Sequence, residues 1–176
     1  MQCNIFLFQL YKGNACDPAD PRIVGVDFVS CIELIEHINP EDHHGIIKTI
    51  FNDIKPLTAV ITTPNGEFNS HWPTMPHGKY RHEDHRFEWT RDEFTVFVTK
   101  ILEQYPEYEA VYDGIGKHWG GDDTKGFCSQ AAIFKLIKPK PDRPVMVHDK
   151  ENVDELFADD VGDFQGKIFC KDFLYQ

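Results

Sequence analysis

From residue 26 to residue 137, short runs of branched and aromatic residues alternate with segments whose apolar positions recur at helical spacing. Strands interleaved with helices build an α/β domain around a largely parallel sheet, so this alternation constrains the fold more than any other feature. A first strand is expected over Asn4–Tyr11, closed by Lys12-Gly13-Asn14, and a second over Val26–Ile32. The second runs straight into Glu33-Leu34-Ile35-Glu36-His37. A helix should follow, with Asn39 as N-cap and Pro40 at its first position. Ile46, Ile47, Ile50, Phe51 and Ile54 form its buried stripe, and Lys55-Pro56 ends it. Leu57–Thr62 reads as a third strand, closed by Thr63-Pro64-Asn65-Gly66. Residues 66–89 show no strong period, and loops of that length inside a domain usually carry function. Thr90-Arg91-Asp92-Glu93 is a capping box for a second helix bearing Phe94, Phe97, Val98, Ile101, Leu102 and Tyr105. Two further strands are expected at Tyr108–Tyr112 and Gln130–Ile137, giving about five strands in residues 1–137. Residues 138–176 read as a Pro-containing linker and an acidic tail.

Eighteen Lys and Arg against 29 Asp and Glu leave a formal charge of −11 over 176 residues. Non-specific coating of nucleic acid draws on many cationic contacts to phosphates, and that class is excluded. A small, locally focused RNA or nucleotide site is compatible with the charge. The N-terminal stretch has no basic region and only a short apolar run, and no segment reaches the length of a membrane span. Five widely spaced cysteines, an odd number without a Cys-x-x-Cys pair, fit reduced thiols in a soluble cytoplasmic protein.

Glu33, Glu36 and His37 stand at i, i+3 and i+4, so a helical turn would point all three side chains one way. Two carboxylates and an imidazole suit Mg²⁺, Mn²⁺ or Zn²⁺, although such residues are also ordinary neighbours on a solvated helix start. Seven of the nine histidines fall in two windows: His37, His43 and His44, then His71, His77, His82 and His85. A second imidazole from the later window, His82 or His85, would complete a Glu₂His₂ site. His43 and His44 are expected on exposed helix surface, and His71 and His77 as loop decoration. Gly114-Ile115-Gly116 has no amphipathic helix after it, which a nucleotide-binding loop requires. No Ser or Cys sits in a nucleophile-elbow context.

Three segments together carry a family resemblance: Cys31-Ile32-Glu33-Leu34-Ile35-Glu36-His37-Ile38, Thr63-Pro64-Asn65-Gly66-Glu67-Phe68-Asn69, and Asp84-His85-Arg86-Phe87-Glu88-Trp89-Thr90-Arg91-Asp92-Glu93-Phe94. From about residue 5 to residue 137 the chain resembles the small-RNA 3′-terminal 2′-O-methyltransferases of the plant Hua-enhancer and animal Piwi-RNA type. The resemblance implies the C-terminal portion of a Rossmann-like class I S-adenosylmethionine-dependent methyltransferase fold. It implies that Glu33, Glu36, His37 and His85, rather than His82, hold a divalent ion, Mg²⁺ or Mn²⁺. It further implies methyl transfer from S-adenosylmethionine to the 2′-hydroxyl of the 3′-terminal nucleotide of a small single-stranded RNA (piRNA, siRNA or miRNA). Metal coordination lowers the pKa of a ribose hydroxyl, and a neighbouring imidazole, His37 or His85, takes the departing proton. Phe87 and Trp89 are candidates for stacking a terminal base, with core packing as the competing role. An Argonaute/Piwi-type protein is the implied partner, and the chain is expected to act as a monomer.

The family carries an acidic, glycine-rich cofactor loop upstream of everything matched, so this chain corresponds to a sheet entered at its third strand. Asn14 takes the place of a cofactor-contacting Ser. Two other readings stand beside it: a truncated, catalytically silent metal- or protein-binding module, which rests on the absent glycine loop and the acidic tail, and, ranked last, a metal-dependent phosphoesterase using the same ligands.

Overall fold

The computed structural model describes residues 10–72, 74–75 and 79–137, all within the compact unit Met1–Met146. Four strands form one sheet in the order β1-β2-β4-β3: β1 Phe28–Ile32, β2 Thr58–Pro64, β3 Tyr108–Ile115 and β4 Ser129–Leu136. The expected strand at Asn4–Tyr11 lies outside the described residues for positions 4–9, and Leu10 and Tyr11 are not in a strand. The expected linker and tail, 138–176, also lie outside them.

The sheet is mixed, which corrects the expectation of a largely parallel one. Among the described residues only β1 and β2 pair in parallel, whereas β4 is antiparallel to both β2 and β3. A parallel return from β3 would need a crossover segment, commonly a helix. Residues 116–128 contain no such helix and instead turn the chain back, with Gly116, Gly121 and Gly126 all at positive φ.

The helix expected after Asn39 is three joined pieces: a 3₁₀ turn Pro40–Asp42, helix α1 His43–Lys48 and a π turn Thr49–Ile54. Asn39 has the extended backbone of an N-cap but makes no side-chain cap bond, contrary to expectation. Lys55, at φ 54°, ends the segment in the left-handed region, its N–H donating to the Ile50 carbonyl. Helix α2, Arg91–Gln104, begins as expected: the Thr90 hydroxyl accepts from the Glu93 N–H, and the Glu93 carboxylate accepts from the Thr90 N–H. Thr90→Ala should therefore cost about 1 kcal/mol, read as a shifted urea midpoint with an unchanged slope.

The core lies between one face of the sheet and these helical segments. Cys31, Ala59, Ile61, Ala132 and Phe134 from the strands meet Ile46, Ile50, Phe51, Phe94, Val98 and Ile101. Burial pushes the Cys31 thiol up to about 12, which keeps it unreactive. Phe28, Ile32, Val111 and Ile115 alternate with the inward strand positions and are about half exposed. Among the described residues, no helix is long and apolar enough to cross a membrane.

Candidate metal centre at the strand ends

The chemistry-bearing residues gather at the carboxyl ends of the parallel pair β1 and β2, where open α/β sheets bind ligands. The chain leaves β1 through Glu33, whose φ of 47° is rare for a residue with a side chain. Several contacts hold this bend. The Glu33 N–H donates to the Thr62 carbonyl and hydroxyl oxygens, while the Thr62 and Ser129 hydroxyls donate back to the Glu33 carboxylate. A short 3₁₀ turn, Ile35–His37, follows.

Glu36 is fully buried. The Thr63 hydroxyl donates to its Oε2 at 3.0 Å, and Oε1 has no hydrogen-bond partner. Burial, reinforced by the charges of Glu33 and Glu88, pushes the Glu36 carboxyl up to about 7. The loop before α2 folds over this turn, its Arg86 N–H donating to the Glu36 carbonyl at 2.7 Å. The His37 and His85 rings thereby meet edge to face, 4.8 Å between centroids.

Glu36, His37 and His85 each offer a ligand atom, and these atoms all lie within 4.8 Å of one another. A buried carboxylate oxygen with no partner is what a cation would satisfy, so these three residues fit a divalent ion. Glu33 does not join the group. Its backbone bend separates it from the 3₁₀ turn, and its carboxylate serves Thr62 and Ser129, although its charge still reaches Glu36. The His82 ring is farther from His37, at 6.0 Å.

Other expectations change. His43 is not exposed: it is 7% accessible, its Nε2 lies 3.1 Å from the Ile35 carbonyl, and its ring meets Phe87, Trp89 and Phe97. His44 is exposed as expected. His71 is not loose decoration either, because its ring stacks on His118 at 4.1 Å. His77 lies outside the described residues. Phe87 is buried and stacks on Trp89 at 4.0 Å, while Trp89 also packs on Phe97 at 4.8 Å. These contacts place Phe87 in the aromatic core and pack the partly buried Trp89 against it. Asn14 lines a cleft of about 400 Å³ shared with His37, Asp42 and His44. Its carboxamide oxygen already accepts from the Cys16 N–H, at 3.0 Å.

Several residues escaped the sequence reading. Thr62, Thr63 and Ser129 hold the two carboxylates from strands distant in the chain, and only tertiary pairing reveals them. Glu88 was legible in principle, since it stands three positions after His85 and contacts its ring.

The Rossmann-like α/β sheet described above is a portion of a methyltransferase fold. The methyltransferase domain of bacterial CtHen1-C matches it with a TM-score of 0.60 and 35% identity, over 73% of this chain and 60% of that one. A small RNA methyltransferase, HEN1, matches with a TM-score of 0.64 and 30% identity, over 73% of this chain and 16% of that one. The small RNA 2′-O-methyltransferase of Xenopus tropicalis is 38% identical over 125 residues, 71% of this chain and 33% of the relative. That of Gallus gallus is 37% identical over 136 residues, 77% of this chain and 35% of the relative. No family model matches. The chain is a relative of the small RNA 2′-O-methyltransferases and spans about a third of the length of those it matches.

Proposed function

We propose that this chain carries the metal and RNA-end half of a small RNA 2′-O-methyltransferase, acting on the 2′-hydroxyl of a 3′-terminal nucleotide with S-adenosylmethionine as methyl donor. The observation that carries this reading is the convergence of Glu36, His37 and His85 around a partnerless buried carboxylate oxygen. A divalent ion held there, Mg²⁺ or Mn²⁺, would supply Lewis-acid polarisation of the terminal ribose hydroxyls. Glu36 supplies the negative charge of the site, and Thr63 orients its carboxylate. Glu33, anchored by Thr62 and Ser129, adds a second negative charge behind it. His37 lines the cleft that also contains Asn14, and an imidazole there whose lone pair is not on the ion would accept the hydroxyl proton as the methyl carbon leaves sulfur for oxygen. Delivery of the RNA by an Argonaute/Piwi-type protein and a cytoplasmic location belong to the same reading.

The full-length gene product, incubated with labelled S-adenosylmethionine, Mn²⁺ and a single-stranded small RNA with a free 3′ end, is expected to label the terminal nucleotide. A 2′-deoxy terminus should take no label. His85→Ala should lower transfer at least about a hundredfold, since losing a ligand costs more than losing a partner of one. No transfer by the wild type, or unchanged transfer by His85→Ala, would sink the reading.

A second reading, a binding module without transfer activity, draws on Asn14, whose side-chain oxygen is already committed to Cys16. Calorimetric titration with S-adenosylmethionine separates the two, because micromolar binding contradicts the silent module.

A further inference from the structure

His85 is held by Glu88, whose charge also acts on Glu36. Its Nδ1 lies 2.6 Å from Oε1 of Glu88, and both side chains are nearly inaccessible, at 8% and 1%. Glu88 is itself gripped from two other segments. The Arg81 N–H donates to Oε1 at 2.6 Å and the Asn69 amide donates to Oε2 at 2.5 Å. The Arg81 guanidinium lies 3.9 Å from Oε2 and also donates to the Asn69 side-chain oxygen and the Asn65 carbonyl. Gly66 lets the two loops meet, since a Cβ there would sit 2.5 Å from the Glu88 carbonyl oxygen. Its N–H donates to the Trp89 carbonyl at 2.9 Å.

The other hydrogen-bonding groups at the Glu88 carboxylate are N–H donors, so both its oxygens act as acceptors. The hydrogen of its bond to His85 therefore belongs to Nδ1. With Nδ1 committed, Nε2 is the ring nitrogen free to act as a ligand beside Glu36 and His37.

We infer that Glu88 is the positioning residue of the centre: it fixes His85 as the Nδ1–H tautomer and aims Nε2 at the Glu36–His37 pair, with Asn69 and Arg81 fixing Glu88 in turn. The pairing stands on the hydrogen bonds alone; its consequence for ion binding rests on the function proposed above. It also accounts for why Asn65-Gly66-Glu67-Phe68-Asn69 and His85-Arg86-Phe87-Glu88-Trp89 occur in one sequence: the first segment braces the residue that aims the imidazole of the second. A carboxylate behind a ligating imidazole raises its basicity and orients its ring, and such partners are worth ten- to hundredfold in metal affinity.

The test uses the intact chain without added metal and then with Mn²⁺. Long-range ¹⁵N–¹H correlation spectra of the metal-free protein, above the titration of its histidines, should show His85 with hydrogen on Nδ1 and none on Nε2. A neutral His85 ring carrying its hydrogen on Nε2 overturns the inference. Glu88→Gln keeps an acceptor in place and should retain the tautomer, with a loss of Mn²⁺ affinity at the low end of ten- to hundredfold. Glu88→Ala should lose the tautomer and the affinity together. Wild-type affinity in a folded Glu88→Ala protein overturns the inference, with far-UV circular dichroism checking the fold. If Glu88→Ala fails to fold, Glu88→Gln decides, and loss of the Nδ1–H signal in a folded Glu88→Gln protein overturns the acceptor role. A wild-type protein with the Nδ1–H tautomer but no Mn²⁺ binding supports the pairing and sinks the metal reading instead.

Discussion

Glu36→Gln is expected to make the metal-free protein more stable at pH 8 and at the same time to remove most of its affinity for a divalent ion. The carboxyl is fully buried, one oxygen has no partner, and its pKa is raised from 4.5 to about 7. Burial is the main cause, and the charges of Glu33 and Glu88 add to it. The Thr63 hydroxyl and a backbone N–H act the other way, favouring the ionised form. The imidazoles of His37 and His85 complete the surroundings of the carboxylate.

Between about pH 4.5 and 7 the folded protein binds a proton at Glu36 that the unfolded chain has released. Stability therefore falls as pH rises through this window, by about 3 kcal/mol at most, and the full loss is present above pH 7. Glutamine cannot ionise and avoids this loss. Urea unfolding of both proteins at pH 5 and pH 8 reads the effect, because the variant should fall less than the wild type. Equal falls would show that Glu36 titrates normally. A divalent ion reverses the balance: it needs the ionised carboxylate, so it should stabilise the wild type more at pH 8 than at pH 5 and the variant little at either.

The largest loss of stability is expected from Phe51→Ala. Phe51 has no accessible surface and meets Phe134 at 4.8 Å, Tyr108 at 5.1 Å and Tyr105 at 5.5 Å between ring centroids. These three rings come from β4, the start of β3 and the end of α2, so one side chain joins three elements. Removing it leaves a cavity that these neighbours cannot all close, at a cost of about 3–5 kcal/mol. That is a large share of the roughly 5–15 kcal/mol that stabilises an ordinary domain. A drop in the urea midpoint of the expected size supports the packing, and a change below about 1 kcal/mol contradicts it.

The local signals were legible because they act over a few residues. The Thr90–Glu93 capping box, the α2 stripe and the end of β1 at Ile32 all follow from neighbouring side chains and backbone. Strand pairing was not legible. Whether β4 runs parallel or antiparallel to β2 depends on the path of residues 116–128, and no period in the sequence encodes that path. His43 misled for a related reason. Its neighbours in the chain look like helix surface, but its partners Phe87, Trp89 and Phe97 arrive from far along it.

The sequence by itself determined which residue types were available for the centre: Glu33, Glu36 and His37 after one strand, and the imidazoles of a histidine-rich loop before a well-capped helix. Tertiary structure decided which of them meet. The left-handed bend at Glu33 turns that carboxylate toward Thr62 and Ser129, so the regular i, i+3, i+4 geometry of a helix does not apply. The bond from the Arg86 N–H to the Glu36 carbonyl lays the loop over the turn and brings His85 into place, where Glu88 fixes its ring. Spacing along a chain sets side-chain directions only while the backbone stays regular, and here it changes direction at the first ligand candidate.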